Sequence, residues 1–410
     1  MIEVNDKRRC SGCTACASIC PQNCIHMKYD SEGFYYPEVN NKLCINCNLC
    51  ENVCPYIKEQ TNRSDKMTVY GCQNNEESIR KISTSGGMFA AIAEYILTMD
   101  GVVFGAGYDS QMHVIHKSAE SIDQIRELQG SKYVQSELCD TFSIVKEYLK
   151  SGKYVFFTGT PCQVEGLLYF LNGINTDNLV TADVKCYGVP SSELFDIFQE
   201  YLSELYGSKV KNFYFRDKKY GYAGVNIKAV LKNGKIIEDK LTIKSYSKTM
   251  FSKVGLRRSC YECVFTTRKK LSDFTLGDIW TIEDYDKNMD DDKGTTCVEV
   301  NSLKGEKIFK EIECKGAIRT VKISELEGDR LFKYQKNLQR HYDINEDRRN
   351  AFFKDMREMP YPQLMNKHFP NSAKNIIDNI AKPILRLIPG ASVVFRLRKK
   401  KRAGKVCYLK

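Results

Sequence analysis

No stretch of this 410-residue chain reaches the roughly 18 to 20 consecutive apolar residues that a bilayer-spanning helix needs. Its first residues, MIEVNDKRRCSGC, lack the apolar core and small-residue cleavage site of a secretory signal, so the expected compartment is the cytoplasm. The body of the chain also lacks a charge excess. Ten Lys or Arg and no Asp or Glu lie between Lys382 and Lys410, which brings the net charge of +11 down to +1 for residues 1–381. A nearly neutral body excludes a broad nucleic-acid-binding face. The basic tail pairs ILRLIP with SVVFRLRKKKRAGK, a composition that fits peripheral contact with anionic lipid or, equally, a solvated terminus. The rest has the balance of apolar and charged residues of a soluble globular protein with two or three domains.

Cysteine, by contrast, is abundant. There are 18, and in a long chain expected in a reducing compartment their grouping reads as metal binding rather than as a disulfide framework. The run Cys10, Cys13, Cys16, Cys20-Pro21 is repeated as Cys44, Cys47, Cys50, Cys54-Pro55. This is the C-x2-C-x2-C-x3-C-P spacing of bacterial two-cluster ferredoxins, in which the fourth cysteine of each run binds the other 4Fe-4S cluster. One cluster is therefore assigned Cys10, Cys13, Cys16 and Cys54, and the other Cys44, Cys47, Cys50 and Cys20. Zinc also uses CxxC pairs, but two complete four-cysteine runs weigh against it.

Four further cysteines sit at telling places. Cys162 follows a predicted strand, YVFFTG (154–159), and opens a predicted helix; Cys186 follows the next strand, LVTADV (179–184). If those strands are parallel neighbours, both cysteines reach the same sheet edge, where ligand sites of open α/β sheets lie. Cys260 and Cys263, in RRSCYECVF, would complete a tetrathiolate site for a third 4Fe-4S cluster. Against this stand buried packing roles for Cys162 and Cys186 and a zinc or redox role for Cys260 and Cys263. Cys24, Cys72, Cys139, Cys297, Cys314 and Cys407 read as packing residues.

Between these motifs, strands are expected at 69–72 and 101–108 and helices at 88–99, 141–150, 162–171 and after Pro190, an α/β alternation. Beyond Val210 strands dominate, with a hairpin turning at Asn233-Gly234, then a charged helical region from Lys304 to about Lys354. The polar stretch Ile57–Met67 reads as a linker. STSGGMF (83–89) places hydroxyls and two glycines before an apolar helix, and GSKYVQS (130–136) adds a lysine and a tyrosine; each alone is a weak anion-binding signal.

Taken together, STSGGMF, GSKYVQS, FFTGTPCQVEGL, DVKCYGVPS, FRDKKYG, RRSCYECVF and DFTLGDIW, spanning about Tyr70 to Trp280, resemble the beta subunit family of coenzyme F420 hydrogenase/dehydrogenase, fused behind a ferredoxin head. The resemblance implies FAD in the core beside an iron-sulfur cluster. It places Ser83, Thr84, Ser85, Gly86 and Gly87 at the FAD phosphates, Lys132 and Tyr133 at the flavin or its substrate as catalytic residues, and Asp278 and Trp280 near the site.

The expected fold is α+β: a two-cluster ferredoxin domain (1–60), then a mixed α/β flavin-binding core whose second half is β-rich (68–150 resembling the family's N-terminal part, 151–330 its C-terminal part), then a helical region and basic tail (331–410). The expected function is an iron-sulfur flavoprotein oxidoreductase, with a ferredoxin-like redox partner and a small-molecule or deazaflavin-type substrate. Two alternatives are a non-catalytic electron-transfer subunit and a zinc-stabilised binding or assembly protein.

Overall fold

The computed structural model describes residues 1–58, 67–223, 226–238, 240–266, 268–323 and 345–371. The basic tail from Lys382 and most of the expected linker lie outside the described residues.

The head is a hairpin, β1 (Ile25–Tyr29) antiparallel to β2 (Tyr35–Val39), flanked by the two cysteine runs. Each run contains a single-turn helix, Ala15–Ser18 or Leu49–Asn52. The sequence repeat extends to the backbone. The second and fourth residues after the first cysteine, Gly12 and Thr14 in one run and Asn46 and Asn48 in the other, all have positive φ. Gly and Asn enter that left-handed region readily, whereas β-branched Thr14 is held there against its own preference.

The body contributes strands β3 (Thr68–Asn74), β4 (Val102–Tyr108), β5 (Val114–Ala119), β6 (Val155–Gly159), β7 (Leu179–Val184), β8 (Val210–Asp217), β9 (Asn226–Leu231), β10 (Ile236–Glu238), β11 (Phe274–Ile279), β12 (Thr295–Val300) and β13 (Ile318–Ile323). Eight of them form one sheet in the order β13-β3-β12-β11-β7-β6-β4-β5, with β4, β6, β7 and β11 parallel. The run Val155-Phe156-Phe157 shows why β6 is uninterruptedly apolar. Phe156 packs on one face with Met88, Ile92 and Ile96 of the helix Met88–Leu97, and Phe157 packs on the other with Phe142, Val145 and Leu167. A strand covered on both faces has no polar side to show. The remaining strands make a small sheet, β10-β9-β8, closed by the helices Ser192–Tyr206 and Leu241–Phe251.

The head is built into this body. Ala15 and Val53 pack in the core under β6, and Phe34 and Tyr36 pack with Phe195, Phe198 and Tyr246. Arg349, in the helix Glu346–Glu358, is buried and donates from both Nη atoms to Glu32 of the head at 2.5 and 2.6 Å.

Several expectations change. The division at 150/151 falls inside the eight-stranded sheet, because β6 pairs with β4, and β3 from the first half lies between β12 and β13 from the second. The second half is thus less a β-rich unit than the other side of a shared sheet. The charged region after Lys304 is helical at Leu303–Cys314 but is interrupted by β13, whose Ile318 and Ile323 face the core. The strand β5 and the helix Ile122–Leu128 were not expected. A buried His116 breaks the apolar alternation of β5.

Candidate functional site

Three cavities are ringed by cysteine. Cys10, Cys13, Cys16 and Cys54 line the first, and Cys20, Cys44, Cys47 and Cys50 line the second, which is the crossed pairing that the repeat predicts. Cys24, read from sequence as a packing residue, also lines the second, with its Sγ 3.4 Å from Cys20 Sγ. The third is lined by Cys162, Cys186, Cys260 and Cys263. Among the described residues no three His, Cys, Asp or Glu converge as a single metal ion requires. Four thiols around a cavity are instead the donor arrangement of a cubane, whose irons lie apart. The donor chemistry of all three cavities fits 4Fe-4S clusters.

The third cavity is assembled by the sheet. β6 and β7 are parallel neighbours, with Gly159 opposite Asp183, so their ends deliver Thr160-Pro161-Cys162 and Lys185-Cys186 to one edge. The helix Pro161–Phe170 starts there, and Thr160 N–H donates to Gln163 Oε1 at 3.0 Å across its first turn. A helix N-terminus favours the negative charge of thiolates and of a cluster. The CxxC loop arrives through an antiparallel bridge between Pro190 and Leu256 and the bond from Arg257 N–H to Val189 O at 3.0 Å. Burial raises the thiol pKa of Cys162 to about 11 and of Cys260 to about 12, and pushes Cys186 well up. Iron bound there would have to displace protons from thiols that burial alone keeps neutral.

The first and third cavities adjoin. Ser11 and Tyr56 belong to the linings of both. Cys13 rests directly on Gly166 of the helix that Cys162 opens, where an added Cβ would lie 2.9 Å from Cys13 Sγ.

The two hydroxyl-rich motifs also meet. Gln129 Nε2 donates to Ser83 Oγ at 3.1 Å, and Ser131 N–H donates to Thr84 Oγ1 at 2.7 Å. The Ser83–Gly87 loop, however, uses much of its own hydrogen-bonding capacity internally. Ser83 Oγ donates to Ile79 O, Ser85 Oγ to Thr295 O and Gly86 N–H to Thr296 Oγ1. Gly86 is required because a Cβ would sit 2.1 Å from Cys72 O, and Gly87 because its φ is +89°. Lys132 likewise turns to the scaffold: its Nζ donates to the carbonyls of Glu127, Leu128 and Gln129 at 3.0 to 3.1 Å, at the end of the helix Ile122–Leu128. Burial, with the charge of Lys117 nearby, depresses its pKa to about 7, which the carboxylate of Glu127 opposes.

Tyr133 does face a distinctive group. Arg216 Nη1 donates to Asp278 Oδ2 at 3.0 Å and approaches Tyr133 Oη at 3.4 Å, and its guanidinium lies 5.0 Å from the Trp280 ring centroid. Burial alone would depress its pKa, but Asp278, Tyr133 and Tyr222 together more than reverse this and the guanidinium stays charged. Arg216 Nη2 is buried with no hydrogen-bond partner among the described residues. Lys218 bridges the carbonyls of Arg80, Ser85 and Lys293, locking the loop to this cluster. Sequence reasoning finds FRDKKYG as a motif but misses Arg216 within it; an arginine spaced two residues from a lysine in a strand-to-turn segment was the available signal. This cluster of Tyr133, Arg216 and Trp280 offers a charged and an aromatic contact of the kind that suits an electron-rich or anionic ring system.

Among the described residues no helix is long and apolar enough to cross a membrane. Comparison with known proteins gives two family matches. Residues 152–326 match the family described as the C terminus of the coenzyme F420 hydrogenase/dehydrogenase beta subunit, and residues 9–57 match the 4Fe-4S dicluster domain. A search of curated proteins gives no match. Among solved structures, one determined for xenon derivatization of the F420-reducing [NiFe] hydrogenase complex from Methanosarcina barkeri is similar at 19% identity and a TM-score of 0.47, over 68% of this chain and 89% of that one. With its crossed cysteine runs and a family match that spans the strands and loop carrying the third cysteine set, the chain is an iron-sulfur electron-transfer protein headed by a 4Fe-4S dicluster domain and related, over residues 152–326, to the C terminus of the coenzyme F420 hydrogenase/dehydrogenase beta subunit.

Proposed function

We propose that the chain is an iron-sulfur flavoprotein oxidoreductase carrying three 4Fe-4S clusters and FAD, and that it passes electrons between a ferredoxin-like partner and a reducible coenzyme or small substrate of the F420 type or a bacterial equivalent. The observation that carries this reading is the single cavity lined by Cys162, Cys186, Cys260 and Cys263 together with Ser11 and Tyr56 of the head. A third cubane there would stand between the head and the sheet edge. From Cys186 the neighbouring Tyr187 leads to Phe251, with ring centroids 6.3 Å apart, and Phe251 leads to Tyr133 at 6.1 Å. The path ends at the cluster of Arg216, Asp278 and Trp280, which supports placing the flavin ring beside it. FAD, when bound, exchanges single electrons with a cluster and electron pairs with a substrate. Arg216 would hold the ring or its negative charge, Tyr133 would contact it, and Lys218 would keep the Ser83–Gly87 loop in place.

Anaerobic purification with iron and flavin analysis tests the reading. About twelve irons and one FAD per chain are expected, and about eight irons in a Cys260→Ser/Cys263→Ser variant. Eight irons in the unaltered chain would remove the third cluster, and a brown protein without flavin would remove FAD. A second reading, an electron-transfer subunit whose substrate chemistry resides in a partner, is favoured by the family's description as a beta subunit. Turnover of small acceptors by the isolated chain with a dye donor separates the two.

A further inference from the structure

The geometry points to Arg257 as the residue that sets the reduction potentials of the head cluster at Cys10, Cys13, Cys16 and Cys54 and of the junction cluster at Cys162, Cys186, Cys260 and Cys263. This rests on the three-cluster reading above. Arg257 has no solvent exposure. Its Nε donates to Cys10 O at 2.9 Å, Nη1 to Gln135 Oε1 at 3.1 Å and Nη2 to Tyr35 O at 2.8 Å, and Nη2 also reaches Cys10 Sγ at 3.8 Å. The guanidinium lies 4.2 Å from the Tyr36 ring centroid and at the same time lines the junction cavity. Gly12 makes room for it, since a Cβ there would lie 3.0 Å from Nη1.

None of these partners is a carboxylate. A fully buried guanidinium surrounded by neutral acceptors is costly unless a counter-charge stands close by. The two cysteine-ringed cavities supply it, because a cubane held by four thiolates is anionic and gains one more negative charge on reduction. A fixed positive charge between them therefore favours the reduced state of each. The effect is larger for the head cluster, whose ligand Cys10 it touches. An electron passing between clusters held at the two cavities would stay close to the Arg257 guanidinium, which touches Cys10 and lines the junction cavity, so no proton need accompany it.

The test is an anaerobic redox titration followed by electron paramagnetic resonance on the full iron-loaded chain, with iron determined in each sample. Arg257→Gln should shift the head cluster's one-electron equilibrium toward the oxidised form by tenfold or more, about 59 mV to lower potential. The junction cluster should move in the same direction by less. Gln135→Glu, which keeps the shape but sets a carboxylate against Nη1, should lower both potentials without removing the arginine, and it carries the test if Arg257→Gln fails to hold iron. Unshifted potentials in an iron-replete variant of either kind would make Arg257 a packing tether and overturn the proposal. Eight irons in the unaltered chain would instead overturn the three-cluster reading, and the head-cluster shift would still decide the role of Arg257.

Discussion

Gly166→Ala sets helix propensity against the position of a cluster ligand. Gly166 is a buried interior residue of the helix Pro161–Phe170. Replacing an interior helical glycine with alanine ordinarily stabilises by about 1 kcal/mol. Here the new Cβ would lie 2.9 Å from both Cβ and Sγ of Cys13, well inside the roughly 3.5 to 4.0 Å of a favourable carbon contact. Overpacking of this kind costs about 1 to 3 kcal/mol. In an iron-loaded chain Cys13 cannot turn away, because iron fixes it on one side and the helix on the other. The clash should then outweigh the propensity gain, leaving a net loss of up to about 2 kcal/mol or a head depleted of iron. In the iron-free chain the thiol can rotate, the clash relaxes, and the alanine should be neutral or stabilising. Urea unfolding followed by circular dichroism, on anaerobically purified and on iron-stripped protein, reads both signs, with iron determined in parallel. An alanine variant with full iron and an unfolding midpoint at or above that of the unaltered chain would refute the claim that Cys13 is pinned against this helix.

Three further outcomes follow from the same structure. The His116 Nε2–H donates to Thr158 O at 2.9 Å while Nδ1 is buried without a partner, and burial depresses its pKa to about 4. The folded value lies below the unfolded one of about 6.5, so stability is complete above that pH and lost as pH falls toward 4, by about 2 kcal/mol at pH 5. Unfolding midpoints at pH 7 and 5 should show this loss and show it reduced in His116→Gln; an equal loss in both would assign it elsewhere. Glu32→Gln should cost about 3 to 5 kcal/mol by breaking the buried pair with Arg349, and the double variant Glu32→Gln/Arg349→Met should cost much less than the two single changes added together. Strict additivity in a double-mutant cycle would deny the coupling. Lys132→Met should cost about 2 kcal/mol through its three helix-end bonds and leave bound flavin unchanged; loss of flavin at unaltered stability would return Lys132 to the ligand site.

Which of these features could be read from the sequence depended on whether a residue's role was local. The cysteine runs carry their chemistry in their spacing, and the crossed pairing needed no fold. Cys162 and Cys186 were legible one step further on, because YVFFTG and LVTADV are strong strand signals and parallel neighbours bring their ends together. The arrival of Cys260 and Cys263 depended on the Pro190–Leu256 bridge, a single long-range contact with no local signature. Polar burial was least legible of all. Arg257 and Arg258 are adjacent and chemically identical, yet Arg257 is sealed between two cysteine-ringed cavities, while the side chain of Arg258 is a quarter exposed and pairs with Glu32 and Glu346. Neither helical nor strand periodicity distinguishes them. What separates them is the direction in which the short helix Arg258–Tyr261 leaves the bridge, and that direction is set by residues distant in sequence. The same holds for Arg216 and Cys24, one read as part of a motif and the other as packing. A buried charge is tolerated only where the rest of the fold has already placed its partners. It is therefore the last feature a linear reading can recover, and here Arg257 stands against both the head and the junction cavity.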